Sequence, residues 1–193
     1  MSLHFSESIL EVKKIKTDYI EREEMGHLLS ALMPTNRLIL EVSLSTGLRL
    51  GDVLNLKTEH LKERMTIREQ KTGKTRRIRL TKELLDRLIT ESGKIYVFPN
   101  RLDYRKPRTR QAVWKDLKRV AKLFRIPAKL NIAPHSVRKV YAVGEFRRTC
   151  NIKRVQELLN HSDEAVTWIY ASADVLAHRK CPHYFADKVH SKN

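Results

Sequence analysis

A chain of 193 residues is long enough for one sizeable domain, and a domain of that size buries about 70% of its unfolded surface, so its core needs no disulfide or metal. At 41% hydrophobic and 32% charged it reads as soluble and globular, without the roughly 18 consecutive apolar residues of a membrane span or the layout of a secretion signal at Met1-Ser2-Leu3-His4-Phe5. Thirty-nine Lys and Arg against 22 Asp and Glu leave a net charge of +17, which attracts polyanions: DNA first, with RNA or an anionic lipid surface as the other classes.

Residues 1–20 read as an arm or lead-in. From Glu21, the positions Met25, Leu28, Leu29 and Leu32 fall at i, i+3, i+4 and i+7, which predicts a helix. Glu21, Glu23 and Glu24 occupy its first turn, where negative charge suits the helix dipole, and Pro34 is expected to end it. A second helix over about 36–45 is apolar nearly all round, as a core helix is, and stops at Thr46-Gly47, where glycine takes the left-handed cap. A short helix starts near Leu50. Residues 65–69 and 76–80 alternate with period two about Lys71-Thr72-Gly73-Lys74, predicting a β-hairpin with a basic tip.

Thr81 is placed to cap a helix running to about Thr90, which Ser92-Gly93 stops. Val97-Phe98-Pro99 reads as extended, and 100–110 as a basic loop. Thr109 caps a helix with the apolar stripe Val113, Leu117, Val120 and Phe124, whose other faces carry Arg110, Lys115, Lys118, Arg119 and Lys122. Pro134 opens the next helix, where its missing N–H costs nothing. Ile152, Val155, Leu158 and Leu159 mark a further one, ended by Asn160, and Val166 and Ile169 a last short one. The fold class that follows is mainly α with a small antiparallel sheet (α+β). No repeat, low-complexity tract or linker divides it.

Two cysteines, Cys150 and Cys181, make no disulfide framework and suit a reducing cytosol, so a cytoplasmic location is expected. His178, Cys181, His183 and His190 match no closed zinc pattern, and no metal is expected. The acid-x-Lys spacings at Glu11 and Asp116 arise on charge-rich segments by accident. Six glycines scattered singly form no phosphate cradle, so no nucleotide cofactor is expected.

Breaking a phosphodiester without metal calls for fixed cations on the non-bridging oxygens, a nucleophile, and an acid for the leaving oxygen. Arginine suits the first task, because its planar fork makes two bonds and stays charged. Thr46-Gly47-Leu48-Arg49-Leu50-Gly51-Asp52 resembles the first arginine box of the tyrosine recombinase (phage integrase) family. Gln70-Lys71-Thr72-Gly73-Lys74 looks like its catalytic lysine turn, and Pro134-His135-Ser136-Val137-Arg138 like its His-x-x-Arg box. Leu158-Leu159-Asn160-His161-Ser162 with Thr167-Trp168-Ile169-Tyr170 resembles its closing box. Each motif alone is common. Together, and in this order, they cover roughly Glu21 to Ala173.

The resemblance implies the catalytic-domain fold of that family over 21–173 and a role for each residue. Arg49 and Arg138 would clamp the scissile phosphate, Lys71 would protonate the leaving 5′ oxygen, His135 would help take the proton of Tyr170, and His161 would hydrogen-bond the phosphate. Lys74 is a weaker candidate for the acid. Tyr170 would attack to give a 3′-phosphotyrosine link. Asp52 would orient the Arg49 region or serve as an ordinary first-turn acid. In relatives the helix matching the one from Thr109 enters the major groove. That makes Arg108, Thr109, Arg110, Gln111 and Lys115 candidates for contact with double-stranded DNA, or else members of a solvated face. The family also implies self-association as a tetramer on DNA, with residues 174–193 as a tail docking in trans or folding back in cis. The chain departs from the pattern at Lys139 and Asn160, and by having only about 20 residues before the catalytic region, where relatives carry a further DNA-clamping domain. A type IB-like topoisomerase and a DNA-binding protein without catalysis are the alternatives.

Overall fold

The computed structural model describes residues 17–127 and 130–159. Helix α1 (Arg22–Ser30) begins where Glu24 accepts a hydrogen bond from the Glu21 amide at 3.2 Å. Pro34 does not end it. The chain leaves α1 at Ala31, and Pro34 instead opens helix α2 (Pro34–Thr46), since a proline at a first helical position sacrifices no intrahelical bond. Gly47 ends α2 with φ 68°, its amide bonded to the Ser43 carbonyl at 2.8 Å. Helix α3 (Leu50–Leu54) follows at once, and a 3₁₀ turn (Thr58–His60) leads to the sheet.

Strands β1 (Arg64–Arg68) and β2 (Thr75–Arg79) form a two-stranded antiparallel sheet, each one residue earlier than the alternation predicts, with Met65 opposite Ile78. Gly73 takes φ 66° at the tip. Helix α4 (Lys82–Glu91) is capped by Thr81, whose hydroxyl accepts from Leu84 N. The loop 100–107 is closed by a bridge between Pro99 and Pro107 and by the Asn100 amide on the Lys106 carbonyl. It delivers the chain to helix α5 (Arg110–Leu123), with Thr109 as the cap.

Helix α6 (Pro134–Thr149) is the axis of the fold, buried from Ser136 to Val143 and packed along α2. Helix α7 (Ile152–Leu159) lays Ile152, Val155 and Leu159 against Ala142 and Phe146. The remaining core joins α1, α2, α5 and the sheet through Met25, Ile39, Leu40, Val113, Leu117 and Ile78. Among the described residues no helix is long and apolar enough to cross a membrane. Cys150 ends α6 in the left-handed region.

Residues 17–20 are fastened to the domain. The Lys139 ammonium donates to the Thr17 carbonyl, and the Asp18 carboxylate accepts from the Asn131 amide at 2.6 Å. Burial draws the Lys139 ammonium below its usual range, against the pull of Asp18. The departure at position 139 thus holds the lead-in segment. At the other side, Asp116 turns inward to cap the α1–α2 corner: Oδ2 accepts from Met33 N at 2.9 Å and Asn36 Nδ2 at 2.7 Å, while Arg119 binds Oδ1. Burial raises its carboxyl, but these donors outweigh burial and hold it below the usual range.

Candidate active site

The corner between α2 and α3, the hairpin tip and the start of α6 meet around an open cleft of about 420 Å³. Arg49, Lys71, His135 and Arg138 all line it, joined by Asp52 and Arg110. Four residues from three separate sequence boxes are therefore brought together. Lys74 does not line the cleft. His161 and Tyr170, and the tail 174–193, lie outside the described residues.

Each side chain is held by a local cause. Arg49 is the N-cap of α3, so its backbone is extended while the helix starts beneath it. Its Nη1 donates to Oε2 of Glu69, the last residue before the hairpin turn. Glu69 is fully buried: Oε2 also accepts the Thr72 hydroxyl at 3.0 Å, and Oε1 lies 3.8 Å from Nη1 of Arg76. Its backbone closes the tip, with the Glu69 amide on the Lys74 carbonyl and the Gly73 amide on the Glu69 carbonyl. Asp52 is buried as well, and Oδ1 accepts the Gln70 amide at 2.9 Å, so the carboxylate anchors the base of the turn that carries Lys71.

Arg138 is almost wholly buried, with Nη1 on the Gly47 carbonyl and Nη2 on the Leu159 carbonyl at 2.6 Å. Arg76 reaches the same Gly47 carbonyl at 3.2 Å and also the Thr46 carbonyl. At the head of α6 the Ser136 hydroxyl accepts the Ala133 amide, fixing the turn from which His135 projects.

His135 opens on the cleft, yet protein atoms crowd its ring. That crowding, followed by the cations Arg138, Lys139, Arg49 and Lys71, pushes the imidazole down to about 4. The ring is neutral at pH 7 and able to accept a proton. Because the unfolded histidine titrates near 6.5, the unfolded chain binds the extra proton between these values. Stability contributed at neutral pH should fall as pH drops from about 6.5 through about 4. Thermal unfolding of wild type and His135→Gln at pH 7 and pH 5 checks this: the wild type should lose more. Equal losses would mean that the ring is not depressed.

The DNA-contact candidates separate. Thr109 caps α5, its hydroxyl accepting the Ala112 amide at 3.2 Å, and Gln111 and Lys115 are exposed on that helix. Arg108 turns partly inward, with Nε on Asn36 Oδ1 at 2.8 Å. Arg110 sits in the cleft. Sequence reasoning missed Glu69 and Arg76, which support the cleft without matching any box. The one signal available was a lone acid in the strongly basic hairpin 64–79. Among the described residues no group of His, Cys, Asp and Glu could hold a metal.

Residues 18–176 match the model of the phage integrase family. The chain is 32% identical over 165 residues to a tyrosine recombinase of Thermosipho africanus, covering 79% of this chain and 56% of the relative. It is 30% identical over 164 residues to the integrase of Escherichia phage P2, covering 84% of this chain and 45% of the relative. It thus spans about half the length of these curated relatives. The fold is similar to the crystal structure of XerA recombinase (TM-score 0.70, 22% identity, 88% of this chain and 64% of that one). It is also similar to lambda integrase residues 75–356, solved as a dimer bound to a COC′ core site (TM-score 0.69, 20% identity, 83% and 61%). Sequence boxes, fold and relatives agree, and the chain belongs to the phage integrase family.

Proposed function

We propose that the chain is the catalytic domain of a site-specific DNA recombinase that cleaves and rejoins DNA by transesterification through Tyr170. The observation that carries the reading is the convergence of Arg49, Lys71, His135 and Arg138 on one cleft. Arg49 and Arg138 neutralise the charge that builds on the phosphate, and Lys71, on the hairpin tip, protonates the departing 5′ oxygen. His135, neutral at pH 7, helps take the phenolic proton, and His161 hydrogen-bonds the phosphate. The phosphoryl group passes from the 5′ oxygen to the Tyr170 oxygen. Attack by the 5′ hydroxyl of the incoming strand then reverses the exchange, so the bond energy is kept and no nucleotide or metal cofactor enters. Asp52 holds the Lys71 turn.

Double-stranded DNA is the substrate, with Thr109, Gln111 and Lys115 of α5, and in part Arg108, set for the groove and its phosphates. Assembly as a tetramer on DNA in the cytoplasm, with 174–193 docking in trans, completes the reading. The relatives named as recombinases and integrases support it.

The test is covalent. Wild type and Tyr170→Phe are incubated with DNA of the source replicon, the DNA is digested, and peptides are weighed. A nucleotide phosphate on Tyr170, absent from the variant, is expected. An adduct on another tyrosine removes Tyr170 as nucleophile, and cleavage without any adduct removes the mechanism.

A further inference from the structure

Arg110 is the first residue of α5 and is exposed, as Gln111 and Lys115 are, but its side chain also forms part of the wall of the cleft. It does so over Gly51, a buried residue two positions after Arg49. A Cβ at Gly51 would stand 2.2 Å from Nη2, 2.9 Å from Cζ and 3.1 Å from Nε of Arg110. Gly51 has ordinary helical geometry within α3. What its missing side chain provides there is the slot that admits the guanidinium. Among the described residues Arg110 makes no ion pair, whereas Arg49 is matched by the carboxylate of Glu69. A cation delivered into a cleft already lined by Arg49, Lys71 and Arg138 is a site for an anion, not a structural pair.

We propose that Arg110 is a phosphate-binding residue of the cleft, holding the DNA phosphate next to the one clamped by Arg49 and Arg138, with Gly51 as its admitting slot. The identity of that phosphate as DNA backbone rests on the proposed function. One side chain then sets both the seat of α5 on the duplex and the seat of the strand in the cleft. Arg110 is a positioning residue for the reaction, and it differs in this from the other basic side chains of its helix.

The experiment uses thymidine 3′,5′-bisphosphate, which carries two phosphates one nucleotide apart and needs neither a target sequence nor Tyr170. Binding is followed through the His135 imidazole signal, because that ring lines the cleft. Arg110→Ala should weaken binding about three- to tenfold by losing one nearby charge, and Lys122→Ala, the same charge change at the far end of α5, by less than about twofold. Gly51→Ala keeps the charge but displaces the guanidinium from its place over α3, so it should also weaken binding. The double variant should bind no more weakly than Arg110→Ala alone. The proposal is overturned if Arg110→Ala matches Lys122→Ala, if Gly51→Ala costs as much without Arg110 as with it, or if the wild-type His135 signal does not respond. DNA cleavage without any tyrosine adduct, alongside the expected binding pattern, would remove the recombinase reading and leave the phosphate site standing.

Discussion

Arg138→Lys should lower the rate of DNA cleavage by at least about 10³, the lower end of what a well-placed arginine contributes to phosphoryl transfer. The substitution keeps the charge and tests geometry. Arg138 is the largest fully buried side chain among the described residues. It spans the cleft floor, with one nitrogen on the Gly47 carbonyl and another on the Leu159 carbonyl. A planar fork can hold two carbonyls on different segments and still present an edge to a phosphate, and a compact ammonium cannot. Leaving one buried carbonyl without its donor costs about 1–3 kcal/mol. Single-turnover adduct formation reads the first effect, and urea unfolding the second. Cleavage within tenfold of wild type would show that Arg138 supports the cleft without touching the phosphate.

Glu69→Ala should be the most destabilising single change in the cleft region, by about 3–5 kcal/mol, as when one partner of a buried ion pair is removed. The carboxylate is fully buried between Arg49 and Arg76, and Arg76 has no second carboxylate among the described residues. Removing it leaves two guanidinium groups facing each other across a cavity and deprives Thr72 of its acceptor. At about 2–4 °C per kcal/mol for a chain of this size, the melting temperature should drop by roughly 6–20 °C. Adding Arg76→Met to Glu69→Ala should recover part of the loss by removing an orphaned charge. A single variant that melts within a degree or two of wild type would mean that the carboxylate is not needed to balance those cations.

The elements with a strong local signal were legible in the sequence. Thr81 and Thr109 cap the helices they were expected to cap, and Gly47 takes the left-handed turn. Pro34 misled because proline both ends and begins helices, and only the next residues decide which. The cleft residues Arg49, Lys71, His135 and Arg138 could be picked out because each sits in a short motif. Their supports could not. Glu69 joins position 49 to position 76, Arg138 joins 47 to 159, and Lys139 joins the α6 axis to Thr17. Such pairings have no periodicity and no spacing to read; they exist only once distant segments are packed. Arg110 was legible as a basic residue on a basic helix, but its place in the cleft wall over Gly51 has no signature in the sequence.

Gly47 concentrates much of this arrangement in one peptide unit. Its carbonyl receives both Arg76 and Arg138, and the ring of Tyr141 lies 2.4 Å from where a Cβ would stand. That peptide plane cannot rotate without letting go of both guanidinium groups at once, and the ring leaves no room for any side chain there. Local opening of the cleft is therefore expected to release both arginines together. Amide protons around 46–49, 76 and 138 should be released to solvent as one cooperative unit, which hydrogen exchange measures.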